Sequence, residues 1–189
     1  MKVINLHQEE KELIQLAVEN NRQAQQQIYT RFSPKMLSIC RLYVKDLQQA
    51  EDVMITSFMK VFTKLKFFEN KGSFEGWVRR IMVNESISYL RVKKKIKFIE
   101  DEIYIDPGCE TVDSQFSIDD IQLLIDNLPD GCKMIFNLYA IEGFKHKEIA
   151  VMLDVNEGTS KSQLAHARKI LQQQINILKK REMSYNLNV

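Results

Sequence analysis

A chain of 189 residues with 44% hydrophobic and 28% charged side chains has the balance of an ordinary globular protein, which excludes a disordered chain and a membrane-embedded one. Six Gly and three Pro are too few for a turn-rich β protein, so the composition points to helices. The net charge of +2 conceals three blocks: residues 60–97 hold eleven Lys or Arg against three Glu, residues 100–120 eight Asp or Glu and no base, and residues 145–181 eight Lys or Arg against three acids.

Basic, acidic, basic along one chain suggests two contacts with a polyanion. The N-terminal MKVINLHQEEKE turns polar where a secretory signal needs an apolar run, and no stretch approaches a membrane span, so a cytoplasmic location without membrane insertion is expected. Cys40, Cys109 and Cys132 are odd in number and widely spaced, as suits reduced thiols. With His7, His146 and His166 they form no ligand cluster, so neither a metal nor another cofactor is expected.

In chain order, the pattern from Glu9 to about Lys97 predicts a bundle of about four helices. Leu13, Leu16 and Ala17, then Ile28, Phe32, Met36, Ile39 and Tyr43, recur at helical spacing. Asp46 with Gln49 resembles a capping box and opens a segment whose Val53, Phe58, Val61, Phe62 and Leu65 make a buried stripe. Ser73 can cap a further helix from Phe74 to about Val92, with Trp77, Ile81, Ile87 and Leu90 on or near its inner face. Residues 98–116, FIEDEIYIDPGCETVDSQF, lose the period and read as a flexible acidic linker.

Ser117 with Asp119 and Asp120 marks the start of a second helical lobe, acids being favourable at a helix N-terminus. Pro129 suits the first turn of the next helix, and Gly143 can end it in a left-handed turn. A short helix from Lys147 to Leu153, a tight Asp154-Val155-Asn156 connection and a longer helix capped by Asn156 form a helix-turn-helix pattern, whose second helix enters the DNA major groove. The expected fold is therefore all-α: a domain over 1–97, a linker over 98–116, a domain over 117–182 and a tail over 183–189.

The early turns of that last helix carry Thr159, Ser160, Lys161, Ser162, Gln163 and His166, side chains able to bond bases or phosphates and uninterrupted by a carboxylate. An ordinary solvated helix end would look the same. In the first lobe aromatic and basic residues interleave through Phe67, Phe68, Phe74, Trp77, Arg79, Arg80, Asn84, Tyr89, Arg91 and Lys93 to Lys95. That mixture suits single-stranded DNA, where rings stack on bases and cations meet phosphates, although Phe74 and Trp77 fit a packed core equally well. Trp77, Arg80, Asn84, Arg91, Lys93 and Lys94 are the candidates there. No Gly-rich phosphate loop, nucleophile elbow or paired-histidine motif is present, so neither an enzyme nor a small-molecule substrate is expected.

Residues 50–62, AEDVMITSFMKVF, 74–91, FEGWVRRIMVNESISYLR, and 157–170, EGTSKSQLAHARKI, together resemble the extracytoplasmic-function sigma factors of the sigma-70 family. Leu128-Pro129, Glu142-Gly143 and Glu148-Ile149-Ala150 match in the same order. The resemblance implies two helical domains, sigma regions 2 and 4, that bind core RNA polymerase and direct initiation at a subset of promoters. It implies docking of Glu51, Asp52, Ile55, Thr56 and Phe58 on the clamp helices of the largest subunit, and a contact with the polymerase flap. Ile55 and Thr56 replace the Gln and acid usual in the family. Asn84 falls where relatives line a pocket for a base flipped out of the minus-ten element, and Ser88 stands where Asp is common.

The resemblance assigns minus-thirty-five reading to Thr159, Lys161, Ser162, Gln163 and His166, with Gln163 and His166 in place of frequent Arg residues. It places the acidic linker in the polymerase channel used by nascent RNA and the template strand. Promoter DNA, core RNA polymerase and an anti-sigma protein are the partners it implies. Two alternatives remain open on the residues: a free-standing helix-turn-helix regulator, and a sigma-like interaction protein that binds polymerase or an inhibitor without initiating.

Overall fold

The computed structural model describes residues 6–69, 71–93, 98 and 117–186, and all regular structure among them is helical. The chain divides into two compact units, Met1–Lys93 and Lys94–Val189.

The first unit holds four α-helices: α1 (Leu6–Val18), α2 (Arg22–Tyr43), α3 (Leu47–Lys64) and α4 (Phe74–Val92). Their starts are written in short polar side chains that satisfy otherwise orphaned amides. Asn21 Oδ1 accepts from the Ala24 amide at 3.1 Å, Asp46 Oδ1 from Gln49 at 2.8 Å and Ser73 Oγ from Gly76 at 3.3 Å. One 3-10 turn, Leu65–Phe67, closes α3 and directs the chain toward α4. Helices α2, α3 and α4 pack on one another, and α1 lies on α2. Ile28, Met36, Phe58, Val61, Phe74, Val78 and Met82 are fully buried at their centre. Edge-to-face pairs add to this packing, Tyr29 with Phe58 at 4.9 Å and Phe32 with Phe74 at 5.5 Å between ring centroids.

The second unit holds α5 (Ile118–Asp126), α6 (Asp130–Phe136), α7 (His146–Leu153) and α8 (Glu157–Asn186). A capping box opens α5: the Asp120 amide donates to Ser117 Oγ at 3.2 Å and the Ser117 amide donates back to Asp120 Oδ2 at 3.1 Å. Helix α6 widens into a π turn over Asn137–Ile141, which no local residue pattern announces. Gly143, at φ 76°, then supplies the expected left-handed exit. Helices α5, α6 and α7 each pack on α8, around Leu128, Cys132, Ile135, Leu138, Ile149 and Leu164. Asp126 neutralises the buried Lys133 through an ion pair.

Helix α8 runs to Asn186, and neither Gly nor Pro interrupts KKREMSYN. The expected linker falls, except for Phe98, outside the described residues.

Candidate nucleic-acid interface

The turn between α7 and α8 has the geometry a helix-turn-helix requires. Asp154 takes a left-handed conformation at φ 57°, and Asn156 caps α8 by accepting from the Thr159 amide at 2.6 Å. A Cβ on Gly158 would come within 3.0 Å of Asn156 Oδ1, so glycine there protects the cap and leaves the exposed backbone open to close approach. The outward side of the first turns carries the exposed Gly158 and Lys161, with Thr159, Ser162, Ala165 and His166 half-buried beside them. Lys161 Nζ lies 2.7 Å from Glu157 Oε1. The Glu157 carboxyl is held below its ordinary range chiefly by that hydrogen bond.

The inward side of the same turns is equally definite. Ser160 is fully buried, and its Oγ lies 2.9 Å from His146 Nδ1. The His146 ring stacks on Tyr139 at 4.5 Å between centroids, and the Arg168 guanidinium lies 5.8 Å from the centre of the Tyr139 ring. Burial pushes the His146 pKa below its ordinary value; Lys161 and Arg168 add repulsion, and Glu157 opposes them.

In the first unit, α4 buries Phe74, Val78, Met82, Val83, Ile87 and Leu90 and turns Arg80, Asn84, Ser88 and Arg91 outward at steps of three or four residues. Trp77 continues this stripe as a half-buried ring, 5.4 Å from Phe68 and 6.0 Å from Phe74 between centroids. The Lys93 ammonium sits over the Tyr89 ring at 4.8 Å, and the Tyr89 hydroxyl donates to Gln49 Oε1 at 2.5 Å. The stripe therefore offers one aromatic face, one amide and several cations, the set that single-stranded DNA needs. Lys94 lies outside the described residues.

On α3, Glu51, Asp52, Ile55 and Thr56 are all exposed, Ile55 at 50%. Met59, at 66%, extends the apolar part of this face and was not among the expected residues, although it stands four residues after Ile55.

Three expectations need correction. Phe58 is only 2% exposed and packs against Tyr29, so it belongs to the core and not to a docking face. Gln163 is 2% exposed and its Oε1 accepts from Cys132 Sγ at 3.3 Å, so it cannot reach a base without leaving the core. Ser160, expected at the surface, bonds His146 from the interior. The helical register already held this signal: Ser160, Gln163 and Ala167 follow one another at three and four residues, on the inner line of α8. Phe74 resolves to the packed alternative, being 2% exposed.

Among the described residues no group of three or more His, Cys, Asp or Glu could hold a metal ion, and no helix is long and apolar enough to cross a membrane. Residues 28–96 match the family model for Sigma-70 region 2, and residues 118–171 match that for Sigma-70, region 4. The RNA polymerase sigma factor SigV of Bacillus subtilis is 30% identical over 135 residues, spanning 70% of this chain and 80% of that protein. The ECF RNA polymerase sigma-E factor of Haemophilus influenzae is 24% identical over 177 residues, spanning 86% of this chain and 93% of that protein. Among solved structures, that of the sigma factor RpoE with the anti-sigma factor NepR from Bartonella quintana covers 80% of this chain and 96% of that chain, at 19% identity and a TM-score of 0.49.

Proposed function

The chain belongs to the sigma-70 family of RNA polymerase sigma factors, of the extracytoplasmic-function type, and from that premise we propose that it directs core RNA polymerase to a subset of promoters. The outward stripe of α8 reads the upstream, minus-thirty-five duplex through Thr159, Lys161, Ser162 and His166. The outward stripe of α4 captures the minus-ten strand: Asn84 meets a flipped base, while Arg80, Arg91 and Lys93 meet phosphates and Trp77 offers a ring face. The exposed face of α3, with Glu51, Asp52, Ile55 and Thr56, docks on polymerase. The polymerase supplies the chemistry.

One observation carries this reading: the helices that match regions 2 and 4 each present a polar, cation-bearing stripe outside a full core, with Arg80, Asn84 and Arg91 exposed on α4 and Lys161 exposed among half-buried Thr159, Ser162 and His166 on α8. Few phosphates are neutralised by either unit alone, so binding to DNA without polymerase should be weak and steeply salt-dependent. Run-off transcription with purified core polymerase tests the proposal. Initiation from a subset of genomic fragments is expected; tight promoter binding in the absence of polymerase would favour a free-standing regulator instead. A chain that binds core without initiating is the reading that exposed Ile55 and Met59 would favour, and the same assay separates it.

A further inference from the structure

Four side chains from three elements meet behind the first turns of α8. Tyr139 comes from the π turn that ends α6, His146 from the start of α7, and Ser160 and Arg168 from α8. The stack of His146 on Tyr139 leaves its Nδ1 2.9 Å from the buried Ser160 hydroxyl, and Arg168 lies against the Tyr139 ring. We propose that His146 is a positioning residue for promoter reading: bonded to Ser160 and resting on Tyr139, it fixes the rotation of the first turns of α8. It thereby aims Thr159 and Lys161, the two residues that flank Ser160 in sequence. This inference rests on α8 being the duplex-reading helix, as proposed above.

The geometry makes rotation the quantity that matters. Side-chain tips lie roughly 6 Å from a helix axis, so a turn of about 20° displaces them by about 2 Å, enough to break a hydrogen bond to a base. On the outer side, Lys161 pairs with Glu157 of the same helix, a contact that turns with the helix and does not restrain it. The restraint comes from within, and His146 supplies a polar bond there as well as a ring contact. The groups facing His146 are Tyr139 from the π turn, with Glu157, Lys161 and Arg168 from α8. Burial together with the cations Lys161 and Arg168 favours the uncharged ring against the pull of Glu157.

The test uses the full chain with core RNA polymerase on a promoter fragment from which the unsubstituted protein initiates. It compares initiation on that fragment with initiation on the same fragment carrying a scrambled upstream element, and core binding is measured in parallel. His146→Phe keeps a ring on Tyr139 but loses Nδ1, and should lower the ratio of the two rates about threefold to tenfold, the range expected for one hydrogen bond. Ser160→Ala should do the same, the double variant should lose no more than either, and His146→Asn, whose amide can occupy the Nδ1 position, should retain most of the ratio. Core binding should be unchanged throughout. An unaltered ratio in His146→Phe, an equal loss in His146→Asn, additive losses in the double variant, or a matching loss of core binding would each overturn the positioning role while leaving α8 as the reader. If the unsubstituted protein ignores the upstream element on every fragment, the reading of α8 fails and the positioning role fails with it.

Discussion

Phe58 and Ile55 stand three residues apart on α3, one 2% and the other 50% exposed, and they should respond oppositely to truncation. Phe58→Ala empties a site enclosed by the core and removes the edge-to-face contact with Tyr29, 4.9 Å away. A buried Phe→Ala change costs about 3–5 kcal/mol, the aromatic pair accounting for roughly 0.5–1.5 kcal/mol of it, against a total stability of about 5–15 kcal/mol for a small domain. Ile55→Ala removes little buried area and should cost within roughly 0.5 kcal/mol. The assay is built into the chain. Trp77 is the sole tryptophan and lies in the first unit against Phe68 and Phe74, so its fluorescence during urea unfolding reports that unit without interference from the second. The Trp77 transition should move to much lower urea in Phe58→Ala and stay in place in Ile55→Ala, while core binding at a denaturant-free temperature well below the transition weakens only in Ile55→Ala. An unmoved transition in Phe58→Ala with core binding abolished would refute the assignment of Phe58 to the core.

Further outcomes follow from the second unit and the thiols. Lys161→Ala should reduce the salt slope of promoter binding by the polymerase complex by about one, whereas Gln163→Ala should leave the slope unchanged and destabilise the second unit by roughly 1–3 kcal/mol; a slope change in Gln163→Ala would return that residue to the DNA. Because folding lowers the His146 pKa, the unfolded chain binds the proton more tightly. The stability this ring contributes is full above its unfolded value of roughly 6.5 and declines as pH falls through the folded value. Calorimetric melts of the second unit between neutral and mildly acidic pH should show that decline and lose it in His146→Asn; parallel slopes would show that another group titrates. Burial pushes the Cys40 and Cys132 thiols up to about 11, so both should resist iodoacetamide in the native protein and react after unfolding, as read by mass spectrometry. Rapid native alkylation of either would contradict its burial.

The parts legible in the sequence are those written in local chemistry. Ser73 and the apolar period after it delimit α4 to its observed bounds, Phe74–Val92, because a cap and a burial stripe are both properties of neighbouring residues. Asn156 was legible as the cap of α8 for the same reason. The π turn at Asn137–Ile141 was not, since no residue of NLYAI marks such a turn locally, as Gly or Pro would mark a break. Gln163 misled because a polar type suggests the surface, while its place is decided by Cys132, thirty-one residues away, which supplies a partner in the core. His146 showed the converse: nothing local distinguished it, and its role depends on Tyr139 and Ser160 arriving from two other elements. Phe58 carried two readings at once, a member of the buried stripe and a member of the docking segment, and burial decides for the first.

The proposed function requires that this chain make polymerase choose promoters. Core RNA polymerase should be incubated with sheared genomic DNA, with and without the purified protein, and the 5′ ends of the transcripts sequenced. New starts are expected that appear only with the protein and share two upstream elements at a fixed spacing, with Asn84→Ala weakening use of the nearer element and Lys161→Ala that of the farther one. Stable association with core, accompanied by no new starts or by starts without a shared element, would contradict it.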